Sequence, residues 1–571
     1  MQTKQITGAQ SIIESCERHG VKYIFGYPGG SNIPIFDALL DSPIKLVLSR
    51  HEQGASHMAD GYARAAGKAG VCLVTSGPGA TNAITGIMTA AMDSVPMVII
   101  CGQTITPNLG LDAFQEADVS GISYPVVKHS YLVKNVNDIP RVMQEAFYLA
   151  ESGRPGPVLI DMPKDISSAL FTPDYTKPLE LPGYQVPKHG PKDALLEVAE
   201  ALQRAKRPVI LAGHGVLISR GSKQLMRLAE TMQIPVMTTL LGKGCFPENH
   251  ELSLSFVGMH GTAYANMALR DCDLIMAVGS RWDDRITGKV AAFCVGAHKI
   301  HIDIDPAERD KIIAVDTFIC GDAATVLEEL NDCITPGDTT AWRAQVAGWK
   351  KQYPLKFTTD RGLEAQYVLD VLNGLMKADA IVTTDVGQHQ MWAAQFCKST
   401  HPDTWLSSGG AGTMGYGFPA AIGAQFACAD RQVVTVVGDG GFQMTMMELA
   451  TAQIHKLPIK ILILDNRFLG MVRQWQDMFY DKRLVGVDLV GNPDFVKLAD
   501  AYGIKGFSIK TVEETEAVLK QALAFNDGPC VIHAHVIKED NVFPMIPAGA
   551  GYDQMLLEAP TEKLEKPKGS T

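Results

Sequence analysis

The run Gly438-Asp439-Gly440-Gly441 directly follows Val433-Val434-Thr435-Val436-Val437, and together they describe a place for a phosphate and a cation. A strand that ends in these residues and opens into a helix over 444–453 leaves backbone N–H groups free at the helix start, where aligned peptide dipoles favour an anion. Glycine at 440 and 441 lets the backbone come close. Asp439 adds a carboxylate, and a hard cation such as Mg²⁺ takes oxygen ligands and shares phosphate oxygens. Twenty-four residues separate Gly440 from Asp465-Asn466, which follow another apolar run, 459–464. Asn466 then offers the metal a side-chain oxygen and Phe468 a main-chain carbonyl. Two unrelated strand-to-helix turns are the bland alternative, and the strand context and spacing together weigh against it.

A G-D-G run followed at this distance by an Asn pair resembles the cofactor motif of thiamin-diphosphate enzymes, with Asp465 standing where the first Asn is usual. The resemblance implies a glutamate that hydrogen-bonds the aminopyrimidine ring and so promotes loss of the thiazolium proton. Glu52, in Arg50-His51-Glu52-Gln53-Gly54-Ala55, lies between the apolar Leu46-Val47-Leu48 and a helix over 55–66, at a strand–helix junction in a different domain. A glutamate in a first helical turn also simply suits the helix dipole. Its company selects it: Tyr27-Pro28-Gly29-Gly30, Arg50 to Gly54 and Thr75-Ser76-Gly77-Pro78-Gly79-Ala80-Thr81-Asn82 resemble, in order, first-domain motifs of the acetohydroxyacid synthase branch.

That resemblance extends over about residues 5 to 555 and includes Asp112-Ala113-Phe114-Gln115-Glu116, Asp161-Met162-Pro163-Lys164-Asp165, Gly387-Gln388-His389-Gln390-Met391-Trp392 and Leu469-Gly470-Met471-Val472-Arg473-Gln474-Trp475. It implies that Gln388 and His389 donate to the diphosphate, alongside Gly440 and Gly441. Met414 and Met471 would flank the bent cofactor. Gly30, Phe114, Gln115 and Lys164 would frame the space a 2-keto acid enters. Trp475, with Met471 and Val472, would select the second substrate, since contact with one extra methyl is worth roughly 1 kcal/mol. Gly279-Ser280-Arg281-Trp282-Asp283-Asp284-Arg285 resembles the flavin motif of the biosynthetic synthases, with Trp282 in place of Phe. The FAD set implied is Arg154, His260, Gly261, Thr262, Arg281, Asp284, Arg285, Asp303 and Asp322. A surface Arg–Asp cluster is the plain alternative for 281–285.

Short β-branched runs alternate with longer amphipathic stretches, the rhythm of βα units and parallel sheets. Runs at 23–26, 45–48, 71–75, 97–101 and 158–161 predict an N-terminal domain over 1–170, pyrimidine-binding by resemblance. A linker over 171–192, carrying Pro173, Pro178, Pro182, Pro187 and Pro191, leads to a central FAD-type domain over 193–338, with strands at 208–211, 234–238, 274–279 and 299–304. Strands at 380–384, 433–438, 459–464 and 529–535 predict a diphosphate-binding domain over 360–545, followed by a polar tail, 546–571. The expected fold is α/β, three doubly wound parallel-sheet domains, with a similar rhythm in the first and third. The segment from 471 to 492 and the residues after 541 are the expected lid.

Lys and Arg number 51 against 62 Asp and Glu, a net charge of −11. An acidic chain without a basic stripe is a poor partner for nucleic acid. No apolar run approaches the ~20 residues that span a bilayer. The 11 cysteines stand apart with no C-x-x-C, which predicts reduced thiols in the cytoplasm and no thiolate metal site. Met1-Gln2-Thr3-Lys4-Gln5 reads as entering a helical pattern at once, without a signal or transit segment.

The family resemblance implies an enzyme that decarboxylates pyruvate and joins the two-carbon unit to a second 2-keto acid. Pyruvate gives 2-acetolactate and 2-ketobutyrate gives 2-aceto-2-hydroxybutyrate, at the start of branched-chain amino-acid synthesis. Thiamin diphosphate, Mg²⁺ and FAD are the expected cofactors; a homodimer or dimer of dimers and a small regulatory subunit are the expected partners. A pyruvate oxidase or glyoxylate carboligase shares most of these motifs, although Glu52 argues against the carboligase. A non-catalytic nucleotide-binding α/β protein is the alternative of another class.

Overall fold

Strands that read as continuous apolar runs are the ones covered on both faces, as parallel sheets flanked by helices require. Gly70–Val74, Met97–Gln103, Pro157–Pro163, Pro208–Ala212, Leu274–Val278, Val433–Gly438 and Lys460–Asp465 are buried along their whole lengths. The computed structural model describes residues 5–560. Within them the chain builds three six-stranded parallel sheets.

The first sheet runs Lys45–Leu48, Tyr23–Gly26, Gly70–Val74, Met97–Gln103, Pro157–Pro163, His129–Leu132; the third runs Trp405–Ser407, Ile381–Thr384, Val433–Gly438, Lys460–Asp465, Cys530–His535, Lys505–Ile509. Numbered along the chain within each domain, both orders are 2-1-3-4-6-5. The similar rhythm of the two domains is thus one topology used twice. The central sheet runs Ser253–Phe256, Val236–Thr238, Pro208–Ala212, Leu274–Val278, His298–Asp303, Thr317–Cys320, the order 3-2-1-4-5-6. That order reverses between Pro208–Ala212 and Leu274–Val278, where doubly wound sheets open a ligand crevice.

Five strands of the three large sheets escape the sequence pattern: His129–Leu132, Ser253–Phe256, Thr317–Cys320, Trp405–Ser407 and Lys505–Ile509. All are sheet edges, and all but the fully buried three-residue Trp405–Ser407 are covered unevenly, so they carry no long unbroken apolar run. Helix boundaries differ too. The helix expected over 55–66 begins at Glu52, with the His51 imidazole accepting from the Gln53 N–H at 3.1 Å. The helix expected over 444–453 begins at Asp439, tightens into a 3₁₀ turn at Met446–Glu448 and resumes as Leu449–Ile454. Near the N-terminus a short strand, Ile6–Thr7, pairs antiparallel with Leu170–Phe171 before the helix Gly8–Arg18, which Thr7 and Gln10 cap reciprocally.

Between 338 and 360 the helix Thr340–Gln352 packs on the central domain, where Trp342 is buried and donates to the Pro208 carbonyl. The start of the expected polar tail joins the same core through Ile546 and Tyr552; its residues 561–571 lie outside those described. No helix among the described residues is long and apolar enough to cross a membrane.

The first and third domains meet through Glu52–Ala66 and Gly417–Ala427. A side chain at Gly61 would run into the Ala420 carbonyl, and one at Gly423 into the Met58 carbonyl, so the two helices touch backbone to backbone. Arg64 is buried beside them, paired with Asp60 (2.7 Å) and Asp93 (2.9 Å), while the Tyr416 hydroxyl donates to Asp60 at 2.7 Å.

Candidate active site

The tips of Ile381–Thr384, Val433–Gly438 and Lys460–Asp465 share the C-terminal edge of the third sheet, where α/β proteins hold ligands. Gly438, Asp439, Gly440, Gly441, Asn466 and Phe468 line a cavity of about 1310 Å³ there. A side chain at Gly441 would strike the Asp385 carboxylate, and one at Gly440 would meet Leu469 at 2.8 Å and Leu489 at 3.2 Å. The expected metal donors Asp439, Asn466 and Phe468 are therefore gathered at one place. Burial and the facing Asp465 push the Asp439 carboxyl up, while His533 keeps Asp465 ionised through a 2.8 Å hydrogen bond. Asn492 joins the two acids, donating to Asp439 at 2.7 Å and to Asp465 at 3.1 Å. A buried carboxylate pair without a cation is the environment a divalent metal relieves.

His389 lines the same cavity and its Nε2 is buried without a hydrogen-bond partner. Burial drives its imidazole down to about 3 against a hydrogen bond to the Asp385 carbonyl, so the ring is neutral with a single N–H, and Nε2 can donate only in the tautomer that carries the proton there. That unspent atom suits a diphosphate oxygen. Gln388 departs from the expected role: its NH₂ donates to Gln474 at 2.9 Å and to the Asp540 carbonyl at 2.8 Å, and its oxygen accepts from Asn466 at 3.2 Å. It orients Asn466, and its donors are already spent within the protein. Met414 lies on the cavity wall, its methyl 3.8 Å from where a Gly440 side chain would begin. Met471 and Trp475, four apart on the helix Gly470–Phe479, line the wall together with Val472.

The cavity continues into the central domain. Gly215, Gly279, Ser280 and Arg281 line it at the switch point of the central sheet, with Asp303 and Asp322 at neighbouring strand ends. Arg154 crosses from the first domain and binds Asp305 (3.1 Å) and Glu308 (2.7 Å). His260 lines the cavity with a buried, partnerless Nδ1, and Arg285 also reaches it. Three residues of the expected flavin set do not. Thr262 is a buried N-cap whose hydroxyl donates to the Leu254 carbonyl, and Gly261 is packed against the Val257–Gly258 backbone. Asp284 points to solvent beside Arg285; its neighbour Asp283 lines the cavity instead.

Glu52 lies elsewhere. It is 9% exposed at the C-terminal edge of the first sheet, and Asn82 donates to its Oε2 at 3.0 Å. A side chain at Gly79 would press on its Oε1 at 3.4 Å, and one at Gly29 on Thr75. A side chain at Gly77 would meet the backbone of Gln115, so the loops bearing Gly30, Glu52 and Gln115 converge. Phe114 is 89% exposed, and Lys164 opens the short helix after Pro157–Pro163 at the same sheet edge. None of these five lines the large cavity of its own chain.

Sequence reading missed Glu448, whose buried carboxylate accepts the N–H groups of Arg50 (2.9 Å) and His51 (3.1 Å) and fixes the turn before Glu52. It also missed Asp385, which accepts from Gly415 N–H at 2.8 Å and is pushed up to about 7 by burial, and Asn492. Each is a lone polar residue outside any motif, with partners far away in sequence.

Three family models match the chain in order: the thiamine pyrophosphate enzyme N-terminal TPP binding domain at residues 6–122, the central domain at 195–330 and the C-terminal TPP binding domain at 385–534. The acetolactate synthase large subunit of Porphyra purpurea is 45% identical, covering 97% of each chain. That of Parasynechococcus marenigrum is 46% identical over 96% of this chain and 91% of its own. That of Haemophilus influenzae is 43% identical over 98% of this chain and 100% of its own. With agreement on that scale and a thiamin-diphosphate cradle in the third domain, the chain belongs to the acetolactate synthase large-subunit family of thiamine pyrophosphate enzymes.

Proposed function

We propose that this enzyme decarboxylates pyruvate and condenses the two-carbon unit with pyruvate or 2-ketobutyrate, and that each active site is shared between two copies of the chain. The observation that carries the second half is the separation of Glu52 from the cavity of its own chain. The helix contact at Gly61 and Gly423 holds it there. Exposed apolar side chains in the loop after Met97–Gln103 at the Glu52 edge, Leu111 and Phe114, support a second copy as the covering surface.

In the proposed site, Asp439, Asn466 and the Phe468 carbonyl hold Mg²⁺, and His389 with the Gly440–Gly441 backbone takes the diphosphate. Thiamin diphosphate supplies the carbon nucleophile and electron sink for decarboxylation and carbon–carbon bond formation. Glu52 of one copy presents its Oε1 to the pyrimidine ring nitrogen and manages the proton there. Lys164 offers charge to a substrate carboxylate, and Gly30, Phe114 and Gln115 enclose the reacting carbons. Trp475, Met471 and Val472 measure the second keto acid. Leu489, close to Gly440, helps the segment after the helix Gly470–Phe479 keep water out. FAD is assigned to the central half of the cavity, supported by the strand order, the unpartnered His260 nitrogen and the acids Asp303 and Asp322. The reading includes a smaller partner, since the relatives are called large subunits, and a reducing cytoplasm, which suits the 11 free thiols.

Mixing two inactive variants tests it. Glu52→Gln and Asp439→Asn damage different halves of a shared site. Random re-association then restores one intact site in each mixed dimer, about a quarter of wild-type acetolactate formation. No recovery after verified subunit exchange would defeat the shared-site reading. Peroxide from pyruvate under air, in place of acetolactate, would make the enzyme an oxidase.

A further inference from the structure

A second group of metal-type side chains lies outside the cavity just described. Lys460–Asp465 and Cys530–His535 are neighbouring strands, with Ile463 opposite His533 and Asp465 opposite His535. Side chains two apart on a strand share a face, so both imidazoles stand beside the Asp465 carboxylate. His533 Nε2 is 2.8 Å from Asp465 Oδ2, the two imidazole centroids are 3.8 Å apart, and one donor atom from each of the three residues lies within 4.8 Å of the others. They line a separate cavity of about 620 Å³ that shares no wall residue with the larger one.

We propose that Asp465, His533 and His535 form a site for a divalent transition ion of the imidazole-preferring kind, Zn²⁺ or a chemical neighbour, distinct from the Mg²⁺ pocket. Two imidazoles and one carboxylate are a three-ligand set that leaves positions open to water or an exogenous ligand. Mg²⁺ prefers oxygen and is a poor occupant of such a set.

The surroundings are those of an oriented ligand group. Asp465 Oδ1 accepts the Arg467 N–H and the Asn492 amide, both at 3.1 Å, which fixes the carboxylate plane and leaves Oδ2 toward the histidines. His533 is held edge-on to Phe495 at 5.1 Å. Binding at about 2.0–2.2 Å needs the His533–Asp465 pair to open by only about half an ångström. Arg467, Lys510 and Lys538 also line the cavity; Lys538 is neutralised by Asp488 at 3.1 Å. Asn492 reaches Asp439 as well, so a metal here is mechanically linked to the Mg²⁺ turn.

The test uses untagged full-length protein loaded with Mg²⁺ and thiamin diphosphate. Calorimetric titration with Zn²⁺ should show one equivalent per chain, and Cu²⁺ in its place should give an EPR spectrum with nitrogen splitting from two imidazoles. Loss of an outer-shell partner alone weakens metal sites by about 10–100-fold, so His535→Gln and His533→Gln should each weaken Zn²⁺ by about 100-fold or more. Asp439→Asn should leave the equivalent in place. His535 is only half-buried at a strand end, so its variant decides the matter if His533→Gln does not fold. No saturable Zn²⁺ equivalent, one that survives His535→Gln, or one that vanishes with Asp439→Asn overturns the proposal.

Discussion

Replacing Glu448 asks whether the turn carrying Glu52 is held from the third domain of the same chain. The carboxylate is buried and takes the Arg50 and His51 N–H groups at 2.9–3.1 Å. Glu448→Ala removes that acceptor from the two backbone donors, while the Thr451 hydroxyl, 2.8 Å from the same carboxylate, keeps the Leu48 carbonyl at 3.0 Å. An unsatisfied buried donor costs about 1–3 kcal/mol, and water entering the vacated space keeps the total near the lower end, about 2–3 kcal/mol. Glu448→Gln keeps an oxygen that can accept from both, as Oε1 does now, and should cost under about 1 kcal/mol. The same turn sets where Glu52 stands, and misplacement by about 1 Å is worth about 100-fold in rate. Glu448→Ala should therefore lower kcat by about 10- to 100-fold, with Glu448→Gln close to wild type. Burial holds the Glu448 carboxyl at about 7. A carboxyl protonated more readily in the folded state makes stability fall as pH rises from about 4.5 to about 7, and Glu448→Gln should flatten that part of the profile. Urea unfolding across pH and acetolactate assays measure both effects. If Glu448→Ala kept stability within about 0.5 kcal/mol and turnover within twofold, the carboxylate would not be what holds this turn.

Glu52→Gln should bind thiamin diphosphate normally yet lose at least about 100-fold in turnover, the usual span of general acid–base catalysis; full turnover would remove Glu52 from the mechanism. Trp475→Leu should lower the preference for 2-ketobutyrate over pyruvate by about fivefold to tenfold, one methyl contact, and an unchanged product ratio would contradict its assigned role. Because burial and Asp465 push Asp439 up, Mg²⁺ must displace a proton there. Its affinity should rise with pH, and binding in weak buffer should release acid; pH-independent binding without proton release would show that Asp439 is already ionised.

The parts of the fold legible in the sequence were those with a continuous signal. Central strands such as Val433–Gly438 need apolar residues on both faces, so their text is unbroken. Edge strands such as Lys505–Ile509, with an exposed lysine and a glycine, carry no such demand. The proposed metal and diphosphate donors stood out in the sequence because they occupy two short runs, each at a strand tip. Glu448 was not, because the backbone it holds lies 398 residues away and a lone glutamate in a helical stretch looks like any solvated one. Gln388 shows the opposite limit: it lines the cavity, but which way its amide donates depends on Gln474 and Asp540, which no local pattern connects to it.

The glycine-lined contact between Glu52–Ala66 and Gly417–Ala427 has a mechanical consequence. Backbones in direct touch, stitched by the Tyr416 hydroxyl on Asp60, Arg64 on the Ser407 carbonyl and the Gly409 and Gly410 N–H groups on Asp93, leave no slack for a hinge, since close-packed interiors transmit strain rather than absorb it. The first and third domains of one chain therefore travel as a unit. Whatever breathing admits keto acids and releases product must come from peripheral loops or from sliding between protomers, so cross-linking these two helices within a chain should leave the catalytic cycle free to run.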